Sequence, residues 1–156
     1  MAYFSRSASI PRVTGDYTAF RSFVREDFRQ CCAYCLLHEF WMGGEANFEL
    51  DHFRPVSKFP HLVSSFYNLY YACHVCNHTK HNHWPSEEFA QRGIQLVDLC
   101  QDEFDQHYHL HADGNLEPLT ESAHYTLLLL RLNSPHLVRL RAFAMRHELP
   151  LDSVPE

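Results

Sequence analysis

Long apolar runs, internal repeats and an excess of positive charge are all missing from this sequence. No stretch is apolar for long enough to cross a membrane, and the first residues lack the apolar segment of a signal peptide, so we expect a cytosolic protein. The net charge of −6 excludes a chain that is basic throughout and binds nucleic acid by its total charge. The 156 residues suit one domain with its own core, which we assign to residues 1–156.

The charge is divided unevenly along the chain. Residues 1–80 carry eight Lys and Arg against seven Asp and Glu, whereas residues 81–156 carry five against twelve. Any surface that binds nucleic acid is therefore expected mainly in the first half. The weak overall charge predicts loose binding, or a partner that supplies affinity.

Local patterns predict an α+β fold. Residues 15–29 have a helical pattern with Asp16 as cap, an apolar face and a face of arginines. This segment is a docking helix with a solvated charged side, or one whose arginines also contact phosphate. The remaining predicted elements are strands over 48–53 and 68–72, helices from near Asn77 to before Pro85, over 86–92, over 121–132 and from Pro135, and a hairpin over 108–119.

These elements divide the single domain into three parts. We place a motif core at residues 30–92, a supporting extension at 93–150 and a loose tail at 151–156. The apolar helix at 121–132 has two interpretations, as part of the core or as a docking surface for a partner.

Cysteine spacing gives the strongest signal in the core. Four of the six cysteines form two C-x-x-C pairs, Cys32/Cys35 and Cys73/Cys76. In a reducing cytosol such pairs indicate a metal rather than disulfides, and four thiolates suit a tetrahedral structural Zn²⁺. The alternative is a set of buried free thiols. Histidines also crowd this region, and we treat most of them as packing or solvent-facing residues. His74 lies inside the second pair and could compete for zinc, but the four cysteines already complete the site.

Between and after the cysteine pairs lie further motif residues. The order C-x-x-C, Asp-His-x-x-Pro, Asn, then C-x-x-C-Asn-x-x-Lys resembles the zinc-containing HNH endonucleases of the ββα-metal, or His-Me finger, superfamily. The resemblance covers residues 32–81, with Asn77 in the last position of an H-N-N variant of the motif. It implies a ββα-metal core with a four-cysteine structural zinc site, flanked by an N-terminal helix and a C-terminal hairpin-plus-helices extension.

The resemblance implies metal-dependent hydrolysis of phosphodiester bonds in DNA, one strand at a time, leaving a 5′-phosphate and a 3′-hydroxyl. We assign His52 as the general base, because a histidine can accept a proton from water at neutral pH. Asp51 is expected to point to the opposite side of the strand and to ligate Mg²⁺ or Mn²⁺ together with Asn77. Asn68 is expected to pin the loop between the strands and to orient the histidine. His81 is a candidate third ligand, which would extend metal tolerance to Ni²⁺.

Three basic residues near the motif, Arg54, Lys58 and Lys80, are predicted nucleic-acid contacts, with solvated loop charges as the alternative. The end of the chain, DGNLEP…LRLNSPHLVRLR, resembles the tail of small stand-alone HNH proteins, some of which act with an ATPase in anti-phage defence. The resemblance therefore implies a cytoplasmic protein encoded by a bacterium or a phage, with DNA, an ATPase or other protein, and a second copy of the chain as candidate partners. Two other functions stay open: a zinc-stabilised nucleic-acid-binding module, and an effector subunit that is silent until a partner docks.

Overall fold

A computed structural model describes residues 1–154 and has an α+β fold, as predicted. The helices are α1 Arg21–Asp27, α2 His74–Lys80, α3 Glu87–Gln91, α4 Phe104–His107, α5 Glu121–Leu129 and α6 Pro135–Arg146. The strands are β1 Phe48–His52, β2 Leu69–Cys73, β3 Tyr108–Leu110 and β4 Leu116–Pro118. Across the part of the chain that the structure describes, every helix is too short or too polar to span a bilayer.

The first hairpin, β1 with β2, leads directly into α2 and forms the centre of the molecule. The two strands are antiparallel, and the register pairs Phe48 with Cys73 and His52 with Leu69. All five residues of β2 are buried, because other elements cover the strand on both faces. Phe48 stacks on Tyr71, with ring centroids 4.7 Å apart, which fixes this register from the core side.

The N-terminal helical segment docks against β2, as its apolar face predicts. Asp16 caps a 3-10 turn at Tyr17–Phe20 that continues into α1, and Val24 and Phe28 are fully buried. The charged side is not simply solvated. Arg25 binds Glu39, and Arg21 donates to the backbone oxygens of Glu45 and Phe48. These arginines are engaged within the protein, so the structure does not offer them to phosphate.

The second hairpin, β3 with β4, packs with α5 and α6 as a supporting layer. Arg141, which has no role in the sequence interpretation, is buried here and donates to the backbone oxygens of Gly114 and Leu132. Gly114 has a φ of +86°, and a Cβ there would lie 2.2 Å from the Val138 oxygen. The Asp113-Gly114 turn therefore requires glycine both for its backbone conformation and for its approach to α6.

Helix α2 begins earlier than predicted, and helix α4 was not predicted. Helix α2 begins at His74, three residues before Asn77, because Cys73 caps it and its Sγ accepts from the Cys76 N–H. The short helix α4 has no strong sequence signal. Helix α3 begins after its cap Ser86, and Gly93 follows it with a φ of +76°, as predicted.

The end of the described chain makes hydrogen bonds to the N-terminal half of the protein. Within the predicted loose tail at 151–156, the Leu151 oxygen accepts from the His38 N–H, and Asp152 accepts from the Tyr3 hydroxyl and from Cys31. The neighbouring Pro150 oxygen accepts from Trp41. Residues 151 and 152 of the predicted tail therefore contact the body of the protein, and residues 155–156 lie outside the described part of the chain.

Candidate active site and metal centre

The four paired cysteines converge in the interior. Their sulfurs lie within 4.8 Å of one another, and all four side chains are buried. The Cys35 and Cys73 sulfurs are 4.0 Å apart, close to the ~3.8 Å expected between two ligands of a tetrahedral Zn–S centre. Burial raises the pKa of Cys32, but hydrogen bonds from the other three thiols hold that pKa well below its ordinary value. The donor set fits a structural zinc that joins the segment before β1 to the β2–α2 junction.

His52 is the last residue of β1, and its ring is fixed from two sides. Its Nε2 lies 2.8 Å from the Val63 carbonyl oxygen, and the Tyr17 ring packs edge-on against it with centroids 4.8 Å apart. A carbonyl oxygen can only accept, so Nε2 carries the proton of the neutral ring. Nδ1 is then left with a free lone pair.

Asn68 holds the loop that runs from His52 to β2. Its side-chain oxygen accepts from the Arg54 N–H, and its amide donates to the backbone oxygens of Arg54 and Leu62. The side chain is buried, which makes these bonds costly to lose. Because Leu62 adjoins Val63, the same side chain holds the segment that supplies the carbonyl partner of His52.

Asp51 points away from His52, as strand alternation predicts, and is buried. Its carboxylate accepts from the Tyr34 hydroxyl and forms an ion pair with Lys80, whose Nζ is 2.9 Å from Oδ2. Lys80 also donates to the His52 backbone oxygen, and its side chain is fully buried. The prediction that Lys80 contacts nucleic acid is therefore wrong in this conformation, because the ammonium group neutralises Asp51 inside the protein.

A cleft of about 320 Å³ opens beside these residues. Its walls include Asp51, His52, Pro55, Asn77 and His81, so the structure gathers the predicted base and the predicted metal ligands around one space. Such a cleft, with a few convergent polar groups, is the usual setting of an active site.

Asn77 is oriented in this cleft by Glu49. Its Nδ2 donates to the Glu49 carboxylate, which leaves the amide oxygen free to bind a cation. Partial burial raises the pKa of Glu49, but hydrogen bonds from Asn77 and His74 together with the nearby histidines lower it by more, so the pKa lies below its ordinary value. Glu49 therefore stays ionised near neutral pH.

His81 follows α2 with a φ of +46°, an uncommon conformation for a residue other than glycine. Its Nδ1 accepts from the Asn82 N–H at 2.6 Å, so Nε2 carries the proton of the neutral ring. Serving as a third metal ligand would require the ring to leave this bond. The predicted ligand role is therefore not supported by the hydrogen bonding, although His81 lines the cleft.

The segment that contains the cysteine cluster, the first hairpin and α2 matches a known protein family. Residues 32–83 match the model described as HNH endonuclease. This segment is an HNH endonuclease domain. The family hydrolyses phosphodiester bonds, so the HNH domain is that of a nuclease. No curated protein gives a significant sequence match to the chain.

Two exposed cations lie on the loop that leaves the HNH motif. Arg54 and Lys58 are both exposed, and the Arg54 guanidinium lies 5.9 Å from the ring centres of Phe59 and Trp84. They remain the predicted phosphate contacts. Aromatic packing of Arg54 keeps its charge at the surface while limiting its motion.

Sequence analysis does not identify several residues that shape the HNH site. Tyr17 lies outside the matched segment, Glu49 precedes the motif by two residues, and Tyr34 lies between the two cysteines of the first C-x-x-C pair. The alternation of β1 places Glu49 on the same side as Asp51, which was the available signal for its role. Nothing local in the sequence connects Tyr17 or the Val63 oxygen to His52.

Proposed function

We propose that this chain is a metal-dependent endonuclease that nicks DNA, with His52 as the general base. The observation that carries the proposal is the contact of His52 Nε2 with the Val63 oxygen. It leaves Nδ1 as a proton acceptor on a side chain that lines the cleft. A positioned imidazole in this state can take a proton from an attacking water.

Asp51 and Asn77 would hold the catalytic cation. Each oxygen of a carboxylate has two lone pairs, so Asp51 retains acceptor capacity beside Tyr34 and Lys80. The Asn77 oxygen is free because the amide nitrogen faces Glu49 and donates a hydrogen bond to its carboxylate. Oxygen donors of this kind suit Mg²⁺ or Mn²⁺. A divalent cation bound there supplies stabilisation of the charge on the phosphate and on the departing oxygen.

Lys80 has a positioning role for His52 and Asp51. It donates to the His52 backbone oxygen and to the Asp51 carboxylate, so it joins the base and the acidic ligand to α2. Asn77 belongs to the same helix, and the three proposed functional residues therefore share one rigid support. Arg54 and Lys58 would hold the phosphate backbone near the cleft.

The test is nicking of supercoiled plasmid with Mg²⁺, Mn²⁺, Ni²⁺ or EDTA. We expect nicking with the oxygen-preferring metals, none with EDTA, and a fall of about 10²–10⁴-fold in His52→Ala. The matched control is His124→Ala, an exposed histidine on α5 outside the cleft. Equal nicking by the two variants would exclude His52 as the base.

Two other functions give different outcomes in the same assay. A zinc-stabilised binding module would bind DNA without nicking in any metal. An effector that needs a protein partner, such as an ATPase, would nick only after that partner is added. Circular dichroism and zinc content establish in each case that the tested protein is folded.

A further inference from the structure

A second group of metal-binding side chains lies on the surface beside Asn77. Glu49 projects from β1, and His74 and His78 project from α2, four residues apart and therefore on one face. One ligand atom from each of the three lies within 4.8 Å of the others. Within residues 1–154, this group and the four buried cysteines are the sets of three or more His, Cys, Asp and Glu side chains with that spacing.

The contacts within the group are close. His74 Nδ1 is 3.1 Å from Glu49 Oε1, and the two imidazole rings lie 3.9 Å apart at an angle of 38°. The two rings and the carboxylate are therefore close enough to bind one ion between them. Neutral imidazole is the form that binds metal.

We propose that Glu49, His74 and His78 bind a transition-metal ion such as Zn²⁺, at a site separate from the four cysteines and from the catalytic cation. Two imidazole nitrogens and one carboxylate oxygen are a common zinc donor set that leaves a position open to water. Mg²⁺ is a poor occupant, because it prefers oxygen ligands. Both histidines are exposed, so the open position faces solvent.

The present geometry is close to that of a bound ion. Two ligands of a tetrahedral zinc lie ~3.4 Å apart, against 3.1 Å for the Nδ1–Oε1 pair. The ion takes the place of the hydrogen on Nδ1, and the ring carries its proton on Nε2 instead. His78 must move inward by rotation of an exposed side chain, which the neighbouring solvent permits.

Glu49 gives this site a connection to the nuclease cleft. Its Oε1 faces His74, while Oε2 accepts from the Asn77 amide. Among the described residues Glu49 has no Lys or Arg in an ion pair, so its charge is available to a cation. An ion on Oε1 would leave Oε2 in place to orient Asn77.

Cobalt binding tests the proposal. The protein is prepared with zinc in the four-cysteine site, treated with EDTA to clear exposed sites, and titrated with Co²⁺ in excess Mg²⁺, which occupies oxygen-ligand sites. We expect a visible cobalt band without sulfur-to-metal charge transfer. The apparent affinity should fall at least ~10-fold in His74→Ala and in His78→Ala.

The matched control is His81→Ala, an exposed histidine just beyond the same helix. It should retain the cobalt band. Unchanged affinity in His74→Ala and His78→Ala would overturn the proposal, and so would loss of the band in His81→Ala alone, which would assign the ion to the cleft. The measurement uses no nucleic acid, so its outcome is independent of the proposed nuclease mechanism.

Discussion

Lys80 and Asp51 form an ion pair inside the protein, with Nζ 2.9 Å from Oδ2 and no part of the Lys80 side chain exposed. The two residues are 29 positions apart and belong to α2 and β1. The pair therefore fixes the helix against the strand that carries His52. A lysine that sequence analysis assigned to DNA binding is instead part of the support of the proposed site.

Replacing Lys80 with methionine should destabilise the protein by about 3–5 kcal/mol, because the Asp51 carboxylate would remain buried without its cation. Urea denaturation measures this change. Lys58→Met is the control, since Lys58 is exposed and its loss should change the free energy of unfolding by less than about 0.5 kcal/mol. Equal stability of the two variants would contradict the interpretation of a desolvated pair.

Asn68→Ala should slow nicking more than it changes DNA affinity. The variant loses the bonds that hold Arg54 and Leu62, and with them the position of the Val63 oxygen at His52. The unpaired backbone groups should also cost about 1–3 kcal/mol of stability. Single-turnover nicking at saturating protein separates the rate of cleavage from binding.

Asn68→Asp provides a sharper comparison at the same position. Its carboxylate would face two carbonyl oxygens that now accept from the amide, so this variant should be less stable than Asn68→Ala. Asn47→Ala is the control, because Asn47 is exposed and the hydrogen bond from its side-chain amide to the Met42 oxygen lies outside the site. Wild-type cleavage by Asn68→Ala would show that the loop is held without this side chain.

The elements that sequence analysis predicted well are those with local signals. Ser86 and Gly93 delimit α3, the Asp113-Gly114 turn closes the second hairpin, and Pro135 begins α6. Each depends on backbone preferences that a few residues express by themselves. The cysteine pairs also converged as expected, because two C-x-x-C motifs have few other uses in a reducing environment.

The pairing of side chains across long separations could not be predicted. Nothing near Lys80 indicates that it turns inward to Asp51, and nothing near Tyr17 indicates contact with His52. The predicted start of α2 is late because a cysteine is an unusual cap. Here Cys73, one of the four clustered cysteines, accepts the N–H of Cys76. Such features depend on tertiary packing between distant segments, and short sequence patterns do not reveal that packing.

Glu39 predicts part of the acid sensitivity of the fold. Burial raises the pKa of Glu39, but hydrogen bonds from Arg25 and Tyr71 lower it by a larger amount. The pKa in the folded protein therefore lies below the ordinary 4.5. A carboxyl group whose pKa is lowered by folding stabilises the protein at pH values above ~4.5. This contribution is lost as the pH falls through the pKa of the folded state. Glu39→Gln should therefore be less stable than wild type at pH ~7, with a difference that shrinks below pH ~4.5.

Unfolding by urea at a series of pH values measures this difference. The exposed Glu88→Gln is the control, because its side chain lies at the surface of α3. A stability difference between wild type and Glu39→Gln that stayed constant from neutral to acid pH would show that Glu39 contributes by packing and not by its charge.

Removing zinc should unfold the protein. In small zinc domains the ion contributes about 10–16 kcal/mol, which equals or exceeds the ~5–15 kcal/mol of net stability typical of a domain. The four cysteines are buried and join segments that are about 40 residues apart in the sequence, so loss of the ion also removes a link between them. Cys76→Ser should lose zinc and cooperative thermal unfolding, as measured by circular dichroism. Cys100→Ser should retain both, because Cys100 lies outside the cluster. A zinc-free protein with the wild-type melting temperature would show that packing alone holds the hairpin and α2 together.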